Sequence, residues 1–508
     1  MNRIAGETEM QSFVGEWLLG SEIDTLADDN RCGSESRRDR DGLEGAHNGV
    51  RGDDVVVVRE ARQVSNGVTI RTWETVAMKV DQKRVWEKFL LAGATMALVA
   101  GMASTLPSAY AAGKIASDNE DQWISVGMGI RGGFAAVENG SANGASYTNT
   151  FGIGNARIYI NGGITKVIKF EFNTECFDCN GLGNPFGQTS STGVENTIGV
   201  LDAIGKFEFN QHVNIWVGRL LVPGPRDELN GPFYSQVFEQ FKTPFESADF
   251  AGKFGTGGAG TYGRDNGVTF WGQVDPGYGH LQYSVGVYTG LQSAANFGPN
   301  QQNSLLYAGR LTFNFLNPEK NPGYYTSGGY YGKAGDILAL GVAVQYQKNG
   351  AGTSTDQADL TYLVTDLLFE KPLGNSGDQG VITVNAQYQQ FYANYNNSAT
   401  TGAFAPGTVG CFCMFNGNSY YGQVLYLIPN KIGMGQFQPY ARFTSVQPDN
   451  SATRQETEAG TNYIISGYNA RLAAYWQYGD LASLGTNYAN NAAGHFGNAF
   501  KVAFQFQY

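Results

Sequence analysis

The sequence predicts an all-β protein, a transmembrane antiparallel β-barrel of about 16 strands with an inward-folded constriction loop. Three observations support this prediction. Hydrophobic and polar or small residues alternate along most of the chain after residue 122. Charged residues make up only 16% of the chain while aromatic residues make up 13%. A helical membrane protein would carry apolar runs of about 20 residues, and the chain has one apolar run, near residue 90.

The alternation has a period of two, which places successive side chains on opposite faces of a strand. A half-buried strand of a soluble protein gives the same pattern. Segments of about 10 residues match a tilted membrane span better than ordinary globular strands, and aromatic residues cluster near the segment ends, as in interfacial girdles. The clearest apolar series is Leu338, Leu340, Val342, Val344 and Tyr346, interleaved with Ala339, Gly341, Ala343 and Gln345.

A secretory signal is predicted inside the chain, over 78–111. Basic residues follow Met78, an apolar segment covers 89–102, and Ala109-Tyr110-Ala111 supplies the small residues that signal peptidase accepts, so cleavage is expected after Ala111. A transmembrane anchor is the alternative, but the apolar segment is short for a span. Residues 1–77 are then expected to be a disordered upstream extension from a mis-called start codon, with a real cytoplasmic or regulatory segment as the alternative. The barrel is predicted over 112–508.

Strand segments are predicted in the barrel region at an even count of sixteen, which returns both termini to the periplasm. The connections predicted at the periplasmic end are short and rich in turn-forming residues, with 317–335 as a long exception. The connections at the outer end are mostly longer. The predicted strand centres are residues 128, 155, 168, 203, 217, 270, 285, 310, 342, 365, 387, 424, 441, 462, 475 and 503.

The longest connection runs from Val222 to Asp265. Long loops without secondary structure are usually functional, and we expect this one to fold into the barrel and narrow it. An outer lid that never enters the barrel is the alternative. The charged residues assigned to the constriction are Arg226, Asp227, Glu228 and Lys242.

Strand parity assigns a set of basic residues to the barrel interior, because the face opposite the apolar face must point inward. A ladder of Arg and Lys favours anions by charge and by bidentate contact with oxyanions. The alternative is that any charge in a membrane strand faces the lumen, and Glu171 and Asp366 do so as well. The predicted ladder consists of Arg131, Arg157, Lys169, Arg310, Arg442, Arg471 and Lys501.

Two cysteine pairs, Cys176 with Cys179 and Cys411 with Cys413, fall in predicted outer loops. Residue 180 is Asn, so the covalent haem motif is absent. Disulfides are expected on an oxidising export route, with a zinc or cluster site or free thiols as alternatives. The pairing stays open, because four cysteines allow three connectivities.

The last segment and two internal segments carry a family resemblance. Phe500, Val502, Phe504, Phe506 and Tyr508 share one face, and this ending resembles the C-terminal strand of bacterial outer-membrane proteins. The segments GRLLVPGPRDELNGPFYSQVFEQF (218–241) and ETEAGTNYIISGYNARLAAYWQYGD (456–480) resemble the phosphate-selective porins O and P. The resemblance implies a homotrimeric porin of the bacterial outer membrane, exported through the periplasm, with anion uptake through an arginine ladder and pore lysines.

The expected function is therefore passive diffusion of small hydrophilic solutes, with preference for phosphate-like oxyanions. The net charge of −11 and the lack of a polybasic run argue against nucleic-acid binding. The four histidines provide little material for acid–base chemistry, so no enzyme activity, cofactor or metal is expected. The expected partners are outer-membrane lipid and small anions. The alternatives are a non-conducting surface or adhesive barrel, or a barrel enzyme.

Overall fold

The computed structural model describes most of the predicted barrel region and a short segment before it. It divides into two units, 1–82 and 83–508. The described residues are 55–65, 68–78, 113–116, 119–141, 143–177, 197–239, 263–292, 295–296, 299–352, 354–375, 377–392, 417–449, 453–480 and 494–508.

The first unit contains a two-stranded antiparallel sheet. Strand β1 (Val55–Ser65) pairs with β2 (Val68–Met78), so that Val55 lies opposite Met78 and Ser65 opposite Val68. Apart from Met78, both strands lie within 1–77, for which the sequence predicts a disordered upstream extension, and that assignment stays a prediction. Both are rich in β-branched residues, and the sequence between them is Asn66-Gly67, the dipeptide most favoured in two-residue hairpin turns. The predicted signal peptide lies outside the described residues apart from Met78, and it stays a prediction.

Among the described residues, the second unit contains strands β3 to β19 and a helical turn, α1 (Arg226–Asn230), between β8 and β9. Within the part of the chain that the structure describes, no helix is long and apolar enough to cross a membrane. The strands are β3 (Gly113–Ala116), β4 (Trp123–Val137), β5 (Thr148–Gly163), β6 (Ile168–Phe177), β7 (Thr197–Glu208), β8 (Asn214–Leu221), β9 (Arg264–Val274), β10 (His280–Tyr288), β11 (Leu306–Asn314), β12 (Ile337–Gly352), β13 (Gln357–Pro372), β14 (Val381–Tyr392), β15 (Gly417–Leu427), β16 (Gln436–Pro448), β17 (Arg454–Ser466), β18 (Ala470–Gly479) and β19 (Gly497–Gln507).

Strands β4 to β19 form a closed antiparallel barrel of sixteen strands. Each strand pairs with the next along the chain, and β19 closes the ring on β4, with Ala499 opposite Val137 and Gln507 opposite Gly129. The short strand β3 pairs with the beginning of β4. Closure leaves no unpaired strand edge in the ring. The predicted fold class and strand count are confirmed, and each predicted centre lies inside one strand.

The strands alternate between an exposed apolar face and a buried face that is mostly polar or small. In β12 the exposed fraction is 51% for Val342 and 44% for Val344, but 2% for Ala343 and 1% for Gln345. The two faces follow from the strand period, and closure turns one face outward and the other inward. The alternation in the sequence therefore separates the outside of the barrel from its interior.

The connections are mostly long at one end of the barrel and short at the other, as predicted. The link 222–263 is the longest at the long-loop end. At the other end the links are short except for 315–336 between β11 and β12. The short links are 164–167, 209–213, 275–279, 373–380, 428–435 and 467–469.

In the described part of the barrel, two links fold inward, one from each end. The first insert is 222–239, the described beginning of the link after β8, and its side chains and carbonyls bond to inward residues of β13, β16 and β18. The inward-folded loop is thus confirmed. The second insert, 315–336, was predicted only as a long turn, so its position inside the barrel corrects that expectation. Its Gly323 has φ 59°, and a Cβ there would lie 2.3 Å from the ring of Trp216, so this close approach requires glycine.

Candidate functional site

All seven basic residues of the predicted ladder lie on inward-facing positions of their strands. Six of them are buried, with exposed fractions between 1% for Arg471 and 7% for Arg157. Lys169 is the exception, with 34% of its side chain exposed. Strand alternation explains these inward positions, since it turns apolar residues outward and these charges inward. That they line a pore stays a prediction.

Within the described part of the chain, five of the seven form ion pairs with carboxylates. Arg310 donates from Nη1 and Nη2 to Asp366 Oδ2 and Oδ1 at 2.6 and 2.9 Å, the bidentate geometry that strengthens such pairs. The interior therefore does not present all seven cations to a permeant anion. The other pairs are Arg157–Glu175 (2.5 Å), Lys169–Glu208 (2.6 Å), Arg442–Glu458 (2.7 Å) and Lys501–Glu239.

The remaining two ladder residues, Arg131 and Arg471, share one wall amide. Arg131 Nε donates to Gln505 Oε1 at 3.0 Å, and Arg471 Nη2 donates to the same oxygen at 2.7 Å. Both also hold the first insert by its backbone, through the carbonyl oxygens of Phe238 and Gln236. These two arginines therefore connect the first insert to the barrel wall by hydrogen bonds.

Parity reasoning missed further inward cations, among them Lys206 and Arg264. Lys206 pairs with Glu171, and its Nζ lies 3.9 Å from the centre of the Trp216 ring. Arg264 pairs with Asp202 at 2.9 Å between Nε and Oδ1. For Lys206 the alternation of apolar and polar residues is weak, because the outward residues of β7 include Ala203 and Gly205 and leave no clear apolar face.

Arg226 of the first insert joins both inserts to the wall. Its Nη1 and Nη2 donate to Glu319 Oε2 and Oε1 at 2.7 and 2.8 Å, and its Nε donates to Asp366 Oδ1 at 3.1 Å. Glu319 belongs to the second insert, and Asp366 belongs to β13 and also pairs with Arg310. Arg226 is 1% exposed, so all these charges are removed from water and depend on one another.

The other predicted constriction residues point to different partners. Asp227 accepts a hydrogen bond from Tyr421 Oη at 2.8 Å. Burial raises the pKa of Asp227 to about 6, and the bond from Tyr421 offsets part of that rise. Glu228 is buried, with its carboxylate against Gly263. Lys242 lies outside the described residues.

Hydrogen bonds and ring contacts connect the two inserts directly. Thr326 Oγ1 bonds to the carbonyl oxygen of Arg226 at 2.9 Å and to Asn230 Oδ1 at 2.8 Å, and the Gly328 amide donates to the Tyr234 carbonyl at 2.9 Å. Beside them, Tyr324 and Tyr325 each pack on Trp216 with ring centres 5.3 Å apart. The inserts therefore form one packed body inside the barrel.

The cysteine and histidine residues that the structure describes are Cys176, His212, His280 and His495. Cys176 is disulfide-bonded, and its partner lies outside the described residues, as do Cys179, Cys411 and Cys413. His280 Nδ1 lies 2.6 Å from Asp275 Oδ1 at a short link. Among the described residues, no cluster of His, Cys, Asp and Glu is arranged to hold a metal.

Comparison with known proteins finds similarity to solved structures of outer-membrane proteins. No family model and no curated protein matches the chain. The structure of Salmonella typhi OmpF in complex with daunomycin is 12% identical, covers 78% of this chain and 100% of its own, and has a TM-score of 0.46. Vibrio cholerae OmpT, expressed in the outer membrane, is 12% identical, with the same coverages and a TM-score of 0.42. The Acinetobacter baumannii outer-membrane channel DcaP is 11% identical, with coverages of 78% and 99% and a TM-score of 0.42.

Proposed function

We propose that this protein is an outer-membrane channel through which small hydrophilic solutes diffuse passively. One observation carries the proposal: sixteen strands close into a ring whose charged residues mostly face inward and whose outward face is mostly apolar. Lipid cannot hydrogen-bond a free strand edge, so a closed ring is the only β structure that spans a bilayer. Barrels of about 16 strands are wide enough to enclose an aqueous path. No catalytic activity is proposed.

The finer parts of the proposal concern selectivity and assembly. Ion pairing in the interior reduces the positive charge offered to a solute. Arg471 bonds to neutral oxygens of Gln236 and Gln505, which do not cancel its charge. We assign a preference for small anions, including phosphate-like oxyanions, to the region around this arginine. Export through the periplasm by the signal peptide, insertion in outer-membrane lipid and a homotrimer belong to the same proposal, supported by the sequence patterns and the family resemblance.

Liposome swelling tests the channel proposal with neutral probes. Proteoliposomes that contain the refolded barrel, 112–508, are diluted into isosmotic sugars of increasing size. We expect fast swelling in a pentose, slower swelling in a trisaccharide, and none in liposomes that lack protein. Equal and negligible swelling in every sugar would refute diffusion through the wild-type barrel.

A second candidate, a non-conducting surface barrel, is favoured by the packed inserts. Arg226, Glu319 and Asp366 connect both inserts to the wall, and nearly all inward residues of β12 to β16 are buried. Replacement of residues 320–330 by a short Gly-Ser linker separates the candidates. Swelling that appears only in this variant identifies a channel closed by its inserts. Absence of swelling in both proteins, with the barrel folded, favours the surface barrel.

A further inference from the structure

The carboxylate of Glu239, near the end of the described first insert, occupies a set of wall donors. Glu239 Oε1 accepts hydrogen bonds from Lys501 Nζ and from Tyr475 Oη, the latter at 2.9 Å. Its Oε2 accepts one from Gln477 Nε2 at 3.0 Å. Arg442 Nη1 donates to the Glu239 backbone carbonyl at 2.5 Å. Side chains of three strands thus converge on one residue of the insert.

The strand register builds this donor set without the insert. Tyr475 of β18 lies directly opposite Lys501 of β19, and Gln477 lies opposite Glu458 of β17, which lies opposite Arg442 of β16. Lys501 is 3% exposed and Gln477 is 1% exposed. Neighbouring inward residues on paired strands lie within reach of one another. The barrel wall therefore holds these donors in place, and the insert brings the acceptor.

The charges around the donor set identify which cation serves a ligand. Arg442 is already paired with Glu458 at 2.7 Å, and Glu456 lies 3.9 Å from it. Glu458 also accepts bonds from Tyr440 Oη and Gln477 Nε2, each at 2.7 Å. Arg442 is thereby matched by wall carboxylates, and Lys501 contacts the carboxylate that the insert supplies. Lys501 is the cation that an incoming anion would share with Glu239.

We infer that Lys501, Tyr475 and Gln477 form a binding site for small aliphatic carboxylates, and that Glu239 occupies it as a tethered competitor. The side chain of Glu239 ends in a methylene and a carboxylate, the same group that acetate presents. Charge-assisted bonds to the carboxylate oxygens hold such a group, and one cation with two neutral donors provides partners for both oxygens. This inference rests on the proposed channel function and deepens it by naming a substrate class.

Acetate is the probe, and calorimetric titration in detergent micelles measures binding without any need for conduction. The variant is Glu239→Ala, which empties the donor set, and its matched control is Glu239→Gln, which fills it with a side chain of the same shape. We expect saturable binding of one acetate per chain to E239A in sodium acetate against sodium chloride of equal ionic strength. Wild type and E239Q should bind at least about tenfold more weakly, because in both the side chain at position 239 occupies the donors.

A second variant ties binding to the wall donors. In the E239A background, Lys501→Met should weaken acetate binding by at least about tenfold. Folding of every variant is checked by its heat-modifiable migration in detergent gels. Equal acetate binding in wild type, E239A and E239Q would overturn the inference, and so would binding in E239A that Lys501→Met leaves unchanged. If binding is found but no solute crosses liposomes, the site stands and the channel function falls; the reverse pattern refutes only the site.

Discussion

Arg226 and Glu319 form a bidentate ion pair between two chain segments that enter the barrel from opposite ends, with Nη1–Oε2 and Nη2–Oε1 distances of 2.7 and 2.8 Å. Arg226 lies in the link after β8, and Glu319 lies in the link after β11. Both side chains are almost completely buried. The pair therefore connects the two inserts at a place where water cannot replace the lost interaction.

The first prediction concerns this pair. Glu319→Gln removes one charge and leaves Arg226 with Asp366 as its carboxylate partner, so we expect a loss of about 3 kcal/mol in the free energy of unfolding and larger or more frequent openings in channel recordings. Urea unfolding in detergent and single-channel recording measure the two effects.

The control for this variant is Asp336→Asn, also in the second insert. Asp336 pairs with Lys371 at 2.8 Å, but about half of each side chain is exposed, so its loss should cost less than about 1 kcal/mol. Equal effects of E319Q and D336N would contradict the role assigned to Arg226.

The second prediction concerns Asp366, which serves two guanidinium groups. Asp366→Ala leaves Arg310 without its bidentate partner and removes one of two carboxylates from Arg226. We expect a loss of roughly 3–5 kcal/mol in the free energy of unfolding. Thr365→Ala is the matched control, because Thr365 is the next residue in β13 and faces outward; it should change stability by no more than about 0.5 kcal/mol. A loss in D366A as small as in T365A would refute a central role for this carboxylate.

The third prediction concerns Asp227 and pH. Burial raises the pKa of Asp227 from the usual 3.8 to about 6, so the folded protein holds this proton more tightly than the unfolded chain. The contribution of Asp227 to the free energy of unfolding is therefore most favourable below about pH 4 and is lost as the pH rises through about 6. Asp227→Asn keeps the hydrogen-bonding shape without the charge. We expect D227N to gain stability relative to wild type between pH 4 and 7.5, by up to roughly 3 kcal/mol.

The measurement for Asp227 is the difference in unfolding free energy between D227N and wild type at several pH values, so that other titrating groups cancel. Tyr421→Phe removes the hydroxyl that donates to Asp227 and should raise the pKa of that carboxyl further. A difference between D227N and wild type that does not change with pH would show that Asp227 titrates normally.

The fourth prediction concerns the disulfide of Cys176. Peptide mapping of the protein, alkylated without reduction, should find Cys176 linked to another cysteine, and reduction should release it. Cys176→Ser should leave one other cysteine open to alkylation and thereby identify the partner. Complete alkylation of Cys176 without reduction would contradict the disulfide.

The strands were predictable from sequence because their signal is local. Val342, Val344 and their neighbours alternate within one segment, and the lipid-facing requirement acts on each strand separately. Ion pairs such as Arg310–Asp366 were not predictable, because they depend on the register of β11, β12 and β13, which places Arg310 opposite Ala343 and Asp366 opposite Gly341. A one-residue slip would move each side chain to the other face.

The second insert was missed for a different reason. Its sequence between Pro318 and Gly335 is rich in glycine and tyrosine and has no period, so pattern reasoning identifies a loop but not its direction. The length of this link could have indicated that it folds inward, because the other links at that end of the barrel are short. Glu239 was part of the predicted constriction loop, but its wall donors lie on other strands, and sequence spacing does not reveal such contacts.

Single-channel recording in a planar bilayer tests the central claim most directly. The refolded barrel, 112–508, is added to one side of a membrane in potassium chloride, with heat-denatured protein as the control. We predict discrete current steps that scale linearly with voltage, and in a salt gradient a reversal potential on the anion-selective side. A folded barrel that inserts yet gives no steps, in wild type and in E319Q alike, would contradict a channel through this interior.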